Sequence, residues 1–444
     1  MFSKFNRISP FQLILLSFAA IILLGSVLLA LPVSAAGGQA TGFSDALFTS
    51  VSAVCVTGLV VHDTATYWSG FGQAVILFLI QIGGLGVVTA AAAVSLISGK
   101  RIHLSQRTTM QEAVSAPQIG GVVRFTGFIF KFTFAAELVG FALMAPVFCM
   151  KLDFWKGLWY ALFHAVSAFC NAGFDLMGIN QPYSSLTSFV GNPLINVVVM
   201  LLIISGGLGF SVWEDIISNR FHINKYRLQS KAVLLVTAVL IIAPALYFYI
   251  FEFSGWDMTS GERVLASLFQ SVTPRTAGFN TVDLTAVNGS SLTLITVLML
   301  IGGSTGSTAG GLKTTTLAVL ISSALAVFRS KKDTSMFGRR IENDTVSKAS
   351  ALLLMYLLLF LAGGVSISVI ENLPTGGCLF EAASAIGTVG LSTGITSSLG
   401  TASRAILMCL MFFGRVGGLT FIFAAFKPRR DDLSRLPPEK INIG

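Results

Sequence analysis

Charge is what this sequence lacks most. Only 11% of its 444 residues are Asp, Glu, Lys or Arg, while 54% are apolar. Soluble domains carry roughly 25% charged residues, so a water-soluble globular chain is excluded. Cysteine is scarce as well: Cys55, Cys149, Cys170, Cys378 and Cys409 lie in or beside apolar runs, and no pair has metal or redox spacing. They read as small apolar packing residues. A phosphate-binding loop, zinc-type His/Glu spacing and a nucleophile elbow are missing too. Ser, Thr and Gly cluster often, but no cluster has a base at fixed spacing, which leaves an intramembrane hydrolase only as a distant alternative.

What the chain does have is long apolar runs. Eight recur, at roughly 11–32, 71–98, 124–150, 193–217, 230–253, 292–328, 349–370 and 403–426, each of the length a membrane-spanning helix needs. The first follows Lys4 and Arg7 and precedes a cleavable-looking Val33-Ser34-Ala35-Ala36, but it is longer than the core of a signal peptide. It is expected to stay as a span.

The excess of basic residues follows the spans. With the amino terminus placed in the cytoplasm, 21 Lys and Arg fall in inside segments and five (Lys151, Lys156, Arg263, Arg275 and Arg404) in outside segments. That bias puts both termini in the cytoplasm, and it explains the net charge of +9 without nucleic-acid binding. Lys131, Lys313 and Arg415 remain inside spans.

The outer connections repeat one another. They read DALFTSVSAVCVTGLVV (45–61), YALFHAVSAFCNAGFDL (160–176), LASLFQSVTPRTAGFNT (265–281) and GCLFEAASAIGTVGLST (377–393). From the Phe to the Gly of each copy is ten residues in three copies and nine in the third. Similarity continues into the next run, with IQIGGLG (80–86), IISGGLG (203–209), IGGSTGS (301–307) and FFGRVGG (412–418). Four copies of one unit are implied, each a helix, a re-entrant half-helix, a loop and a second helix. The expected units are 11–98, 118–217, 228–328 and 348–426, with a tail at 427–444. The fold class is an all-α integral membrane protein of four fused helix–pore loop–helix repeats, with eight transmembrane helices and four half-helices around a pseudo-fourfold pore.

A re-entrant loop survives in a bilayer only where it lines a water-filled path, because lipid cannot pair its N–H and C=O groups. Four such loops around one axis turn carbonyls toward a shared centre and can replace a cation's hydration shell. Glycine suits the tightest point, where backbone must approach the ion. The half-helices also aim their negative C-terminal ends at that centre. The expected constriction takes in Val56-Thr57-Gly58, Asn171-Ala172-Gly173, Thr276-Ala277-Gly278 and Thr388-Val389-Gly390, with cation held by backbone carbonyls at the four glycines.

NAGF, TPRTAGFN and GTVGL, together with the length and the fourfold repeat, make the chain similar to the Trk/Ktr/HKT superfamily of potassium transporters, and most of all to bacterial Ktr-type membrane subunits. The resemblance spans nearly the whole chain. It implies a glycine filter and, since the first repeat has Gly58 where sodium-preferring plant members have serine, potassium preference. It further implies a membrane-subunit homodimer in a bacterial plasma membrane, above a cytosolic ring of nucleotide-binding RCK-type regulators. Potassium is the implied cargo, with room left for sodium as an activator and no organic cofactor. A sodium-conducting or sodium-coupled transporter of the same architecture is the alternative. Only Thr388-Val389-Gly390 approaches the potassium-channel signature TVGYG, which argues for looser selectivity.

One apolar run is interrupted at mid-depth. Gly302, Gly303, Ser304, Thr305, Gly306, Ser307, Thr308, Ala309, Gly310 and Gly311 split the second helix of repeat 3, and such a break must face protein or the pore. It is expected to be a movable block below the constriction, where family members carry a gating loop. Arg415, at the matching depth of repeat 4, is expected to hold it, because a buried guanidinium needs carbonyl partners and repels cations. Lys313 either joins that gate or snorkels toward the cytoplasm. His164 shares its repeat position with Thr49, Gln270 and Glu381, a polar packing or capping position.

Overall fold

Apolar length decides which helices cross the bilayer. Four do so unbroken: Pro10–Ala30, Val122–Lys151, Leu228–Gly255 and Asn343–Glu371, each opening one of the four repeats. The structure is a computed structural model that describes residues 9–97, 104–114, 120–179, 181–220, 222–425 and 439; most of the tail expected at 427–444 lies outside them. Helix starts are written locally. Ser9 and Gln12 form a capping box at the first helix, as do Thr259 and Glu262 at the third half-helix, satisfying N–H groups that a helix end leaves free.

The four half-helices are Phe43–Val54, Phe154–Phe169, Ser260–Val272 and Thr375–Gly387. At 12 to 16 residues they measure about 18 to 24 Å, too short for a hydrocarbon core of about 30 Å. The repeated Phe of each motif (Phe48, Phe163, Phe269, Phe380) is fully buried, as is the residue after each motif glycine (Leu59, Phe174, Phe279, Leu391). The sequence repeat is therefore the core of the protein. Large apolar side chains such as Leu16, Phe78, Leu138, Leu235 and Leu354 face outward, where only lipid would remove them from water.

Three of the second helices depart from the uninterrupted spans expected from their apolar runs, and only the break in repeat 3 is the one expected from sequence. All four are broken. Gly70–Leu85, Pro193–Leu208 and Thr401–Val416 end at Gly86, Gly209 and Gly417, with φ of 83°, 93° and 88° and ψ near 135°. Only glycine enters that region without strain. In repeats 2 and 4 the chain turns by 97° and 94° there, so the runs 193–217 and 403–426 are bent rather than straight. In repeat 3, Gly289–Leu300 and Thr314–Phe328 are separated by a loop instead.

Repeats 1 and 4 close the ring. Asp45, in the first turn of the first half-helix, accepts from Arg404 at 2.8 Å and pairs with His62 at 2.9 Å. Arg275, assigned by the charge count to an outer connection, is buried and reaches Thr237 Oγ1 at 3.3 Å.

Candidate ion-conduction site

Each half-helix ends the same way. The amide just before the motif glycine turns back onto the last helical turn: Thr57 N to Ser52 O, Ala172 N to Ser167 O and Val389 N to Ser384 O at 2.8 Å, and Ala277 N to Thr273 O at 3.0 Å. To do so, the residue two before the glycine adopts positive φ: Val56 50°, Asn171 57°, Thr276 67° and Thr388 50°. A β-branched residue there is a strained outlier. The glycines follow at φ 88°, 68°, 81° and 92° for Gly58, Gly173, Gly278 and Gly390. Four copies of an unfavourable turn survive because the packed half-helix holds each one.

The four turns meet. A Cβ added to Gly58 would lie 2.5 Å from Ala172 O, one on Gly173 2.8 Å from Ala277 O, one on Gly278 2.4 Å from Val389 O, and one on Gly390 2.1 Å from Thr57 O. Every glycine thus abuts the carbonyl of its successor repeat, in the cyclic order one, two, three, four, one. All four expected constriction triplets are brought together in one closed ring. Side-chain hydroxyls brace it from the last turn of each half-helix. Ser52 and Ser384 accept from Gly58 N and Gly390 N at 3.1 and 3.0 Å, while Ser167 and Thr273 donate to Phe174 O and Phe279 O at 2.7 and 2.6 Å. These hydroxyls were present in the aligned motifs but carried no signal beyond the alignment itself.

On one side of the ring lies a cavity of 460 Å³ lined by the four glycines and by Asp63, Asp175 and Asp283, with no Lys or Arg among its described lining. Three carboxylates against no cation concentrate cations at the mouth. Burial, with Asp63 nearby, pushes the Asp175 carboxyl up to about 6.

The opposite side is filled by the loop of repeat 3. Ser304 N and Thr308 N donate to Gly207 O and Gly206 O at 2.9 and 3.2 Å, Phe210 N to Gly306 O at 2.9 Å, and Gly311 N to Gly414 O at 3.2 Å. Its ends are joined by Gly302 N to Leu312 O at 2.8 Å and by the Ser304–Thr314 and Thr305–Thr315 hydroxyl pairs at 2.9 and 2.8 Å. Thr308 Oγ1 reaches Phe169 O, at the end of a half-helix, at 3.1 Å, and a Cβ on Gly310 would meet Thr388 Oγ1 at 2.2 Å. The loop therefore seats directly against the ring. A second cavity, of 150 Å³, lies beyond it and is lined by Thr305, Gly306, Ser307, Lys313 and Arg415.

Arg415 makes the expected contacts with carbonyls. It donates to Thr308 O in the loop and, in the adjacent repeat 1, to Gly83 O and to Gly84 O, the last at 3.0 Å. Lys313 does not snorkel. Its Nζ folds back onto Ala309 O and Gly310 O at 2.8 and 3.3 Å. The glycine pairs 83–84 and 206–207, with Gly414, are the cradle that sequence reasoning did not assign, although their alignment with 301–307 was visible.

Comparison with known proteins gives the family. The family described as TrkH, cation transport protein, matches residues 9–434. The chain belongs to that family. It is 41% identical to the potassium/sodium uptake protein NtpJ of Enterococcus hirae, over 99% of this chain and 98% of the relative. It is 39% identical to Ktr system potassium uptake protein B of Bacillus subtilis, again over 99% and 98%. Its fold matches the crystal structure of the potassium transporter TrkH from Vibrio parahaemolyticus with a TM-score of 0.71, covering 94% of this chain and 84% of that one at 17% identity. The family and the multiple apolar helices make this a multi-pass membrane protein for cation transport.

Proposed function

We propose that the chain is the potassium-translocating membrane subunit of a Ktr-like uptake system. In this reading the carbonyls around Gly58, Gly173, Gly278 and Gly390 form the selectivity filter, and the 302–311 loop, held by Arg415 and Lys313, is the gate. The observation that carries it is the cyclic approach of each glycine to the next repeat's carbonyl, 2.1 to 2.8 Å from where a Cβ would stand. A dehydrated cation needs such a ring of oxygens, and nothing bulkier than glycine leaves room for it. The acidic cavity is then the outer mouth and the Lys313–Arg415 cavity the inner one, with both termini in the cytoplasm of a bacterial cell. Potassium as cargo is supported by the relatives' names. NtpJ's name pairs potassium with sodium, so sodium belongs in the test as a competitor and activator.

A gate that one repeat supplies calls for a controller. We assign that role to a cytosolic RCK-type nucleotide-binding ring beneath a homodimer of this chain, in keeping with the word system in the relatives' names. The short connection between repeats 3 and 4, with Arg329, Lys331, Lys332 and Arg339 exposed around its hairpin, suits such docking. The test is uptake by a host lacking its own potassium systems. The account expects potassium uptake that excess sodium does not inhibit competitively. Sodium uptake of equal affinity would overturn it.

A further inference from the structure

The buried polar position on each half-helix is used in two different ways. It stands nine residues before the ring glycine in repeats 1, 2 and 4 (Thr49, His164, Glu381) and eight before it in repeat 3 (Gln270), and all four side chains are buried. In repeat 4 the Glu381 carboxylate accepts from Thr393 N at 3.1 Å, Ser392 Oγ at 2.7 Å and Thr396 Oγ1 at 2.5 Å. Three donors and no acceptor suit an ionised carboxylate. In repeat 2, His164 bonds Tyr160 O through Nδ1 at 2.7 Å, which makes Nδ1 the donor, and Nε2 accepts from Leu176 N at 3.4 Å. Leu176 and Thr393 are each three residues beyond their ring glycine. The two side chains thus hold the same atom of the strand that leaves the ring.

Repeats 1 and 3 do not use the position this way. Thr49 Oγ1 donates back to Asp45 O at 2.9 Å, and neither polar atom of Gln270 has a partner among the described residues. Their exit strands are held from outside, by the longer loop of repeat 2. Tyr183 Oη donates to Val61 O at 2.9 Å, Ser185 Oγ accepts from Asn280 N at 3.1 Å, and Leu186 N donates to Asn280 O at 2.8 Å. In the cyclic order of the ring, repeats 2 and 4 face each other, as do 1 and 3.

We propose that His164 and Glu381 are positioning residues for ion discrimination, bracing the exit strands of the filter along one diagonal from within the half-helices, while the repeat 2 loop holds the other diagonal. This rests on the filter reading above. A carbonyl ring distinguishes ions only while its oxygens resist closing on a smaller one, and a strand tied at the third residue past the glycine resists more than a free one.

The test is the potassium-over-sodium ratio, measured as flux per molecule in liposomes. Glu381→Ala and His164→Ala are expected to lower it by about fivefold, the scale of one buried hydrogen bond, with Glu381→Gln restoring most of it because its carbonyl still accepts from Thr393 N. Thr49→Ala and Gln270→Ala are expected to change it by less than about twofold, since neither position holds its strand. Should Glu381→Ala not reach the membrane, Ser392→Ala with Thr396→Val removes two of the three donors to Glu381, leaves the Thr393 N bond, and is expected to lower the ratio by a smaller factor than the alanine but by more than Thr49→Ala. Equal ratios in all four alanine variants overturn the brace if Gly390→Ser still alters selectivity. If Gly390→Ser also leaves selectivity unchanged, the filter reading falls and the brace falls with it.

Discussion

The two faces of the proposed pore are built on opposite plans. On the ring side every repeat contributes a positive-φ turn, a hydroxyl tie of one of two kinds and a glycine, and the result is cyclic. On the loop side one repeat supplies the plug, and the other three hold it with backbone groups, mostly glycine carbonyls, and one guanidinium. Symmetry suits an element that must surround an ion. A single loop suits an element that must move, because one set of weak contacts can be released without opening the rest of the structure. Selectivity and gating should therefore come apart under mutation.

The largest effect is expected on the ring. Serine at Gly390 or Gly278 must intrude on a carbonyl at 2.1 or 2.4 Å and accept a φ of 92° or 81°. Potassium affinity in uptake should fall by about tenfold or more, equivalent to about 1.4 kcal/mol. Gly173, whose added Cβ would be 2.8 Å from its neighbour, should be the most tolerant of the four. A reversed ranking would break the cyclic picture.

Next comes the loop side. Arg415→Ala removes donors from Thr308 O, Gly83 O and Gly84 O together with a positive charge in the proposed cation path. Charge-assisted bonds contribute about 1.5–3 kcal/mol each, so basal flux should rise by about fivefold or more while the potassium-over-sodium ratio holds. Arg415→Lys divides the causes: near-normal flux indicates an electrostatic barrier, and a leak like that of Ala indicates tethering.

A smaller effect is expected from pH. Because burial raises the Asp175 carboxyl to about 6, it is charged above that pH and neutral below it. Lowering the pH on the acidic-cavity side from about 7.5 to about 5 should weaken apparent potassium affinity by about two- to threefold, since one charge near the mouth is lost. Asp175→Asn should show the weaker affinity at both pH values. Smallest of all is Arg404→Ala, which unlinks repeats 1 and 4 at Asp45. The pair is partly exposed, so about 1 kcal/mol of stability should be lost, seen as earlier thermal inactivation in detergent with selectivity intact.

The ring was legible because it is repeated. Four aligned copies place Gly58, Gly173, Gly278 and Gly390 at one depth without any structure, and a membrane leaves a non-helical loop few other fates. Arg415 was legible for a different reason, namely the cost of its charge inside a span. The breaks at Gly86, Gly209 and Gly417 were not. A glycine cluster in an apolar run reads equally as helix packing or as a turn, and only tertiary contacts decide which glycine turns the chain. Lys313 was ambiguous for the same reason, since a long side chain can reach several places. The clamp of Asp45 and Arg404, 359 residues apart, left no local trace at all.

The separation of ring from loop is tested most directly by excising residues 303–310. Gly302 already abuts Gly311, its Cβ position lying 3.1 Å from the Gly311 Cα, so the cut joins neighbours. The measurement is potassium and sodium flux per molecule in liposomes that contain this chain and no regulatory partner. The account predicts a severalfold rise in potassium flux, an unchanged potassium-over-sodium ratio, and little further gain on adding Arg415→Ala, because both changes act on one gate. Unaltered basal flux in the excised chain would contradict it and reduce the interrupted helix to a structural kink.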